Sequence, residues 1–221
     1  QKVKARVDAF IDQTTGIQTL VQMQGLIQLV REFGCVPADQ ILDEFSYKQI
    51  YNQELLKMVK IREDKLLHGD LNINDLTIKN AVPFLQQLHD AGIKLYLASG
   101  TDEADVRKEA EVMGYAHLFE DRIYGAVGDV TKEAKKMVLD RILNIIGDGA
   151  SEQLVTIGDG PVEIRETRKR GGLTIGVASN EIRRFGLNEH KRARLVKAGA
   201  DVVVPDFSQL SQLLTLLNIS H

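Results

Sequence analysis

The sequence has a single cysteine, Cys35. An internal disulfide is therefore excluded, and a reducing, cytoplasmic setting is the default. No apolar run reaches the ~18 residues of a membrane span, and no signal peptide pattern is present. Neither charge sign dominates: 28 Lys and Arg against 31 Asp and Glu leave a net charge of −3. That balance argues against nucleic acid or an anionic membrane as the main partner. Neither GxxxxGK[ST] nor GxGxxG occurs, so the common phosphate-loop and dinucleotide fingerprints are missing. The five histidines show no ligand spacing, and His68, His89, His117 and His190 read as surface residues. "DLNIND" (70–75) starts like a calcium loop, but Asp75 stands where the sharp turn wants glycine and Ala81 where the closing glutamate belongs. No internal repeat or low-complexity tract is found.

What is present is 221 residues with 43% apolar content, enough for one large domain or a core domain with a smaller companion. The pattern changes near residues 70–80. Before that point it is helical throughout. In "IQTLVQMQGLIQLVREFG", Leu20, Met23, Ile27 and Val30 recur at three- and four-residue steps, with Gly34 as the stop. "ADQILDEFSYKQIYNQELLKMVKIREDKLL" reads as one or two further amphipathic helices. Gln1, not methionine, stands first inside this helical pattern, which reads as an internal piece of a longer polypeptide.

Beyond that point strands and helices alternate. "IKLYLAS" (93–99), "DRIYGAV", "QLVTIGD", "LTIGVAS" and "ADVVVPD" read as strands. "DEADVRKEAEVMG", "TKEAKKMVLDRILNIIG", "VEIRETRKRGG" and "FSQLSQLLTLLN" read as helices. Such alternation implies βαβ units and a parallel sheet covered on both faces. Ligands of such sheets bind beyond the carboxyl ends of the strands. The residues expected there are Ser99-Gly100-Thr101-Asp102, Gly158-Asp159-Gly160, Ala178-Ser179-Asn180 and Pro205-Asp206, which form a polar rim.

Three stretches of this part can carry chemistry. In "LYLASGTDE", the Ser99 hydroxyl and the backbone donors of Gly100 and Thr101 at a helix start suit a phosphate or other anion; a simple helix cap uses the same residues. In "IGDGPVE", Asp159 follows the strand and Glu163 falls in the first helical turn. Mg²⁺ takes one or two such carboxylates, with water and substrate phosphate completing its shell. The alternative is a turn with special dihedrals at Gly160, Asp159 as cap and Glu163 against the helix dipole. Lys132, Lys135 and Lys136 crowd a helix start, where cations are disfavoured unless an anion holds them. Lys135 shares a face with Val138, Leu139, Ile142 and Ile146, and is the one of the three expected to point inward.

Ser99, Lys135, Asp159 and Glu163, in this order on this framework, resemble the haloacid dehalogenase-like superfamily, and within it the phosphoglycolate- and sugar-phosphate-phosphatase-like branch. "GVASNE", "NEHKRARLVKAGADVVVPDF" and "RIYGAV" are similar to this branch as well. The resemblance implies a Rossmann-like three-layer αβα core over residues 76–221 and a helical cap over 1–75. It implies a Mg²⁺-dependent phosphatase of small phosphorylated metabolites, working through an aspartyl-phosphate. In the implied scheme Ser99, Gly100 and Thr101 bind phosphate, Ser99 and Lys135 are catalytic with Lys135 offsetting charge, and Asp159 and Glu163 hold the metal. The family's DxDx[TV] nucleophile motif has no counterpart after an apolar strand. "AFIDQTTG" offers Asp12, but Thr14 stands where the second aspartate belongs. The first, central strand and its nucleophile are thus expected upstream of Gln1. Two alternatives remain: a non-catalytic phosphometabolite-binding or regulatory protein, and a phosphomutase of the same superfamily. Either a monomer or a homodimer paired through the apolar face of residues 17–33 is compatible with the pattern.

Overall fold

The computed structural model describes residues 2–14, 19–127, 134–147 and 153–219. By their contacts the residues divide into a unit ending at Asp64 and a unit beginning at Lys65. The first is helical: α1 (Lys2–Thr14), α2 (Thr19–Phe33), a 3₁₀ turn at Ala38–Gln40 and α3 (Glu44–Leu67). Phe10 of α1 lies so close over Gly25 of α2 that a Cβ there would sit 2.5 Å from the ring. Met23, Ile27 and Leu29 are the buried residues of α2. Gly34 ends that helix at φ +60°, a conformation natural to glycine. The expectation of amphipathic helices over 38–67 needs correcting. The long helix there is α3 alone, no residue of it is buried, and its apolar residues Phe45, Ile50, Leu55, Leu56, Met58 and Ile61 are exposed. At ~100° per residue they fall around the whole circumference and define no single face.

The second unit alternates as the sequence pattern implies. After a 3₁₀ turn at Ile73–Asp75 come α4 (Ala81–Asp90), β1 (Leu97–Asp102), α5 (Glu103–Val112), β2 (Ile123–Ala126) and α6 (Ala134–Ile146). Then follow β3 (Val155–Gly158), α7 (Pro161–Lys169), β4 (Leu173–Val177), α8 (Glu189–Ala198), β5 (Val202–Val204) and α9 (Leu210–Leu216). All strand pairs are parallel. They form a β1–β2 pair and a β3–β4–β5 sheet, in register at Ile157↔Ile175 and Ile175↔Val202. This is the α/β class with parallel sheets and flanking helices. Among the described residues no helix is long and apolar enough to cross a membrane.

Strand β4 shows why the layers form. Ile175 and Val177 point into a core built with Phe84 and Leu88 of α4, Ile123 of β2 and Leu213 and Leu214 of α9. Beyond them, Ala178 joins Ile164 of α7 and Leu195 and Ala198 of α8 in a second cluster. Gly176, alternating with Ile175 and Val177, faces Leu195, whose side chain would lie 3.1 Å from an added Cβ. The two-residue period of a strand thus feeds two apolar layers at once. Each fully buried Leu, Ile or Phe contributes ~1.5–3 kcal/mol.

The first strand differs from the expected span of 93–99. It runs from Leu97 to Asp102, pairing with β2 at Leu97↔Ile123, Ala98↔Tyr124 and Asp102↔Ala126. Leu95 instead accepts a side-chain hydrogen bond from Arg122 Nε at 3.0 Å. Strand limits follow the partner's backbone, and β2 begins only at Ile123.

Candidate functional site

Asp159 and Glu163 stand on either side of Gly160, at the carboxyl end of β3 and in the first turn of α7. The helix starts here for local reasons: Gly160 is the N-cap, Pro161 occupies the first helical position, and Glu163 Oε1 accepts the Gly160 N–H at 3.0 Å. Gly160 has φ −100°, so its role is not the special dihedral considered from the sequence. Its role is space. A Cβ at Gly160 would lie 2.5 Å from Glu163 Oε2, and one at Gly158 would lie 2.9 Å from Oε1. The carboxylate is thus folded over two glycines.

Asp159 is not the helix cap either. Its Oδ2 accepts from Lys191 Nζ at 2.9 Å, and the same ammonium reaches Glu181 Oε1 at 2.8 Å. The Lys191 side chain is 9% exposed, while those of Asp159 and Glu181 are 52% and 72% exposed. Burial alone would lower the Lys191 pKa. The hydrogen bonds to Glu181 and Asp159 outweigh it and hold the ammonium above the ordinary lysine range. Asn188 caps α8, its Oδ1 accepting the Lys191 N–H at 3.1 Å, and so sets where this lysine emerges.

Ser99, Gly100 and Thr101 lie within β1, where the sequence reading puts the strand end and helix start. Ser99 is half-buried, and its Oγ accepts the Thr101 N–H at 3.1 Å; Gly100 and Thr101 are exposed. Next to them Glu103 Oε2, at the first turn of α5, accepts from Arg141 at 2.8 Å and from the Gly125 N–H at 3.2 Å. Lys135 is in the first turn of α6, but its side chain, like all of Lys132, falls outside the described residues. The stripe assigned to that helix is buried at Val138, Leu139 and Ile142.

Two members of the expected rim have structural tasks. Asp206 accepts the Gly186 N–H at 3.0 Å and the Ser208 N–H at 2.8 Å, tying the loop after β4 to the end of β5. Burial raises its pKa, and these bonds more than reverse the effect. Asn180 Oδ1 accepts the Ile182 and Arg183 N–H groups and shapes the same loop.

The donor set suits a hard cation. Two carboxylates stand on one turn, Asp159 is open to solvent, and an ammonium already stands against it as a cation would. Among the described residues no group of three or more His, Cys, Asp or Glu side chains is placed to hold a metal. Mg²⁺ usually takes one or two protein carboxylates, with water and phosphate oxygens completing its shell.

A family model of haloacid dehalogenase-like hydrolases matches residues 2–169. The chain belongs to that family. No curated protein matches it. Among solved structures, a haloacid dehalogenase-like family hydrolase from Streptococcus pneumoniae is similar at TM-score 0.60 and 18% identity, over 94% of this chain and 80% of its own. A conserved haloacid dehalogenase-like protein of unknown function from Agrobacterium tumefaciens gives TM-score 0.58 and 16% identity, over 98% and 90%. A structure described as a predicted phosphatase from Clostridium acetobutylicum gives TM-score 0.51 and 22% identity, over 62% of this chain. The present chain spans 59% of that protein's length. These likenesses establish a shared haloacid dehalogenase-like fold.

The sequence reading missed Lys191 and Glu181. A signal was available for the first: Lys191 lies in the opening turn of a helix, the same unfavourable place that drew attention to Lys135.

Proposed function

We propose that this haloacid dehalogenase-like protein is a Mg²⁺-dependent phosphatase of small phosphorylated metabolites, phosphoglycolate or a sugar phosphate. The observation that carries the reading is the Asp159–Glu163 turn at the end of a parallel strand, with a cation already drawn to Asp159. Asp159 and Glu163 would hold the metal, which supplies Lewis-acid stabilisation of phosphoryl oxygens when bound. Ser99 and the backbone of Gly100 and Thr101 would bind the phosphate, and Lys135 would offset its charge. The family chemistry runs through an aspartyl-phosphate. The DxDx[TV] pattern of its attacking carboxylate is not matched after an apolar strand in residues 1–221, and the reading gives that role to no named residue. Residues 1–75 serve in this reading as the cap that selects the substrate.

The test is Asp159→Asn in the full-length protein, with hydrolysis by the unsubstituted full-length protein as the reference. Loss of Mg²⁺-dependent hydrolysis of an aryl phosphate, by ~10²-fold or more, is expected. Unchanged hydrolysis removes the metal assignment.

A further inference from the structure

Lys191 is the residue whose placement the proposed function leaves unexplained. Its position combines three features: it is buried, it emerges from the opening turn of α8, and it contacts two carboxylates of unequal chemistry. Asp159 is the residue to which the proposed function gives the metal. Glu181 belongs to the loop that joins β4 to α8, and its side chain is 72% exposed. Nζ lies 2.9 Å from the first and 2.8 Å from the second.

We infer that Lys191 is an internal competitor for the divalent-cation site, seated on Asp159 in the metal-free state and released onto Glu181 when a cation takes that carboxylate. The inference rests on the metal reading of Asp159 and Glu163. An ammonium and a divalent ion at one carboxylate repel each other and claim the same oxygen lone pairs. Giving up Asp159 alone would leave a buried ammonium under-satisfied, which is costly. The second contact removes that cost, because the ammonium keeps a carboxylate it already touches. Glu181 therefore acts as a counter-seat, and the affinity of the site depends on how Lys191 divides between Asp159 and Glu181. Lys191 is a positioning residue here. It need not touch the substrate.

The readout is binding of Mn²⁺, as a Mg²⁺ probe, to the full chain by electron paramagnetic resonance and titration calorimetry, without substrate. Lys191→Met keeps the bulk and removes the charge, and tightens Mn²⁺ binding about fivefold, the scale of a part-exposed ion pair. Lys191→Arg keeps wild-type affinity within about twofold. Glu181→Gln, on an exposed side chain that leaves folding intact, weakens binding about fivefold by denying the lysine its second seat. In the Lys191→Met background the Glu181→Gln change has no effect. Weaker or unchanged binding in Lys191→Met, or an equal Glu181→Gln loss in both backgrounds, overturns the inference. If Lys191→Met does not fold, the Glu181→Gln and Lys191→Arg arms decide. Mn²⁺ binding that Asp159→Asn leaves intact overturns the metal reading itself, and the inference with it. Asp159-dependent binding that is insensitive to Lys191 overturns the inference alone.

Discussion

Two glycines of the second unit look alike in the sequence and differ in what surrounds them. At Gly160 an added Cβ would meet the carboxylate of the Glu163 side chain, the far end of a side chain and not backbone. Gly160→Ala is therefore expected to cost under ~1 kcal/mol in urea unfolding while breaking the Glu163–Gly160 hydrogen bond. In a calorimetric titration it weakens Mn²⁺ binding. At Gly125 the Cβ would lie 2.5–2.6 Å from the Glu103 Cα and N and the Thr101 carbonyl oxygen, all backbone. Nothing there moves cheaply, and the β1–β2 register already shifts between Ala98 and Asp102. Gly125→Ala is expected to cost ~1–3 kcal/mol or more, read as a lower denaturant midpoint. That Asp159 and Glu163 share one strand–helix turn was legible, because their spacing crosses that boundary. The pairing of Lys191 was not, because its partners lie 32 and 10 residues away and meet it only through the fold.

Among the elements, α8 was not read as a helix from the sequence, although its ends are marked. Asn188 caps its start, and Gly199 takes φ +94° just past its end. Its interior is rich in Lys, Arg and Glu, with Leu195 and Ala198 as the buried anchors, so apolar periodicity is faint. Asn188→Ala is expected to lower stability by ~1 kcal/mol, the usual value of such a cap, measured by urea denaturation. The β4 run was legible because a strand covered on both faces is apolar at nearly every position, and four of its five residues are buried. The β1 limits were not, since hydrogen bonding to β2 decides them and no local pattern encodes the partner's first residue.

At the scale of the whole molecule, a pH dependence comes from a network between α6 and α7. Glu166 accepts from Lys169 and Arg170 at 2.8 Å, and Arg170 reaches Asp140 of α6 at 2.5 Å. The hydrogen bonds from Lys169 and Arg170 lower the Glu166 pKa from 4.5 to about 2. A depressed carboxyl pKa stabilises the fold above the unfolded value and loses that contribution as pH falls. Stability should therefore decline between pH 4.5 and about 2, with Asp206, also depressed, adding to the loss on the acid side. Thermal unfolding against pH checks this. Glu166→Gln is expected to flatten that decline and to cost ~1.5 kcal/mol at pH 7.

Composition, periodicity and the order of four short motifs were sufficient for the α/β class, the parallel strands, the helical beginning and the turn that carries Asp159 and Glu163. These properties are local, or follow from the two- and 3.6-residue repeats by which a chain separates apolar from polar faces. Tertiary structure alone decided that Asp206 ties two loops, that Gly160 provides room for a carboxylate, and that Lys191 stands between Asp159 and Glu181. Charge partners distant in sequence are chosen by how helices and strands pack. The one-dimensional pattern records each charge and leaves its neighbour unspecified.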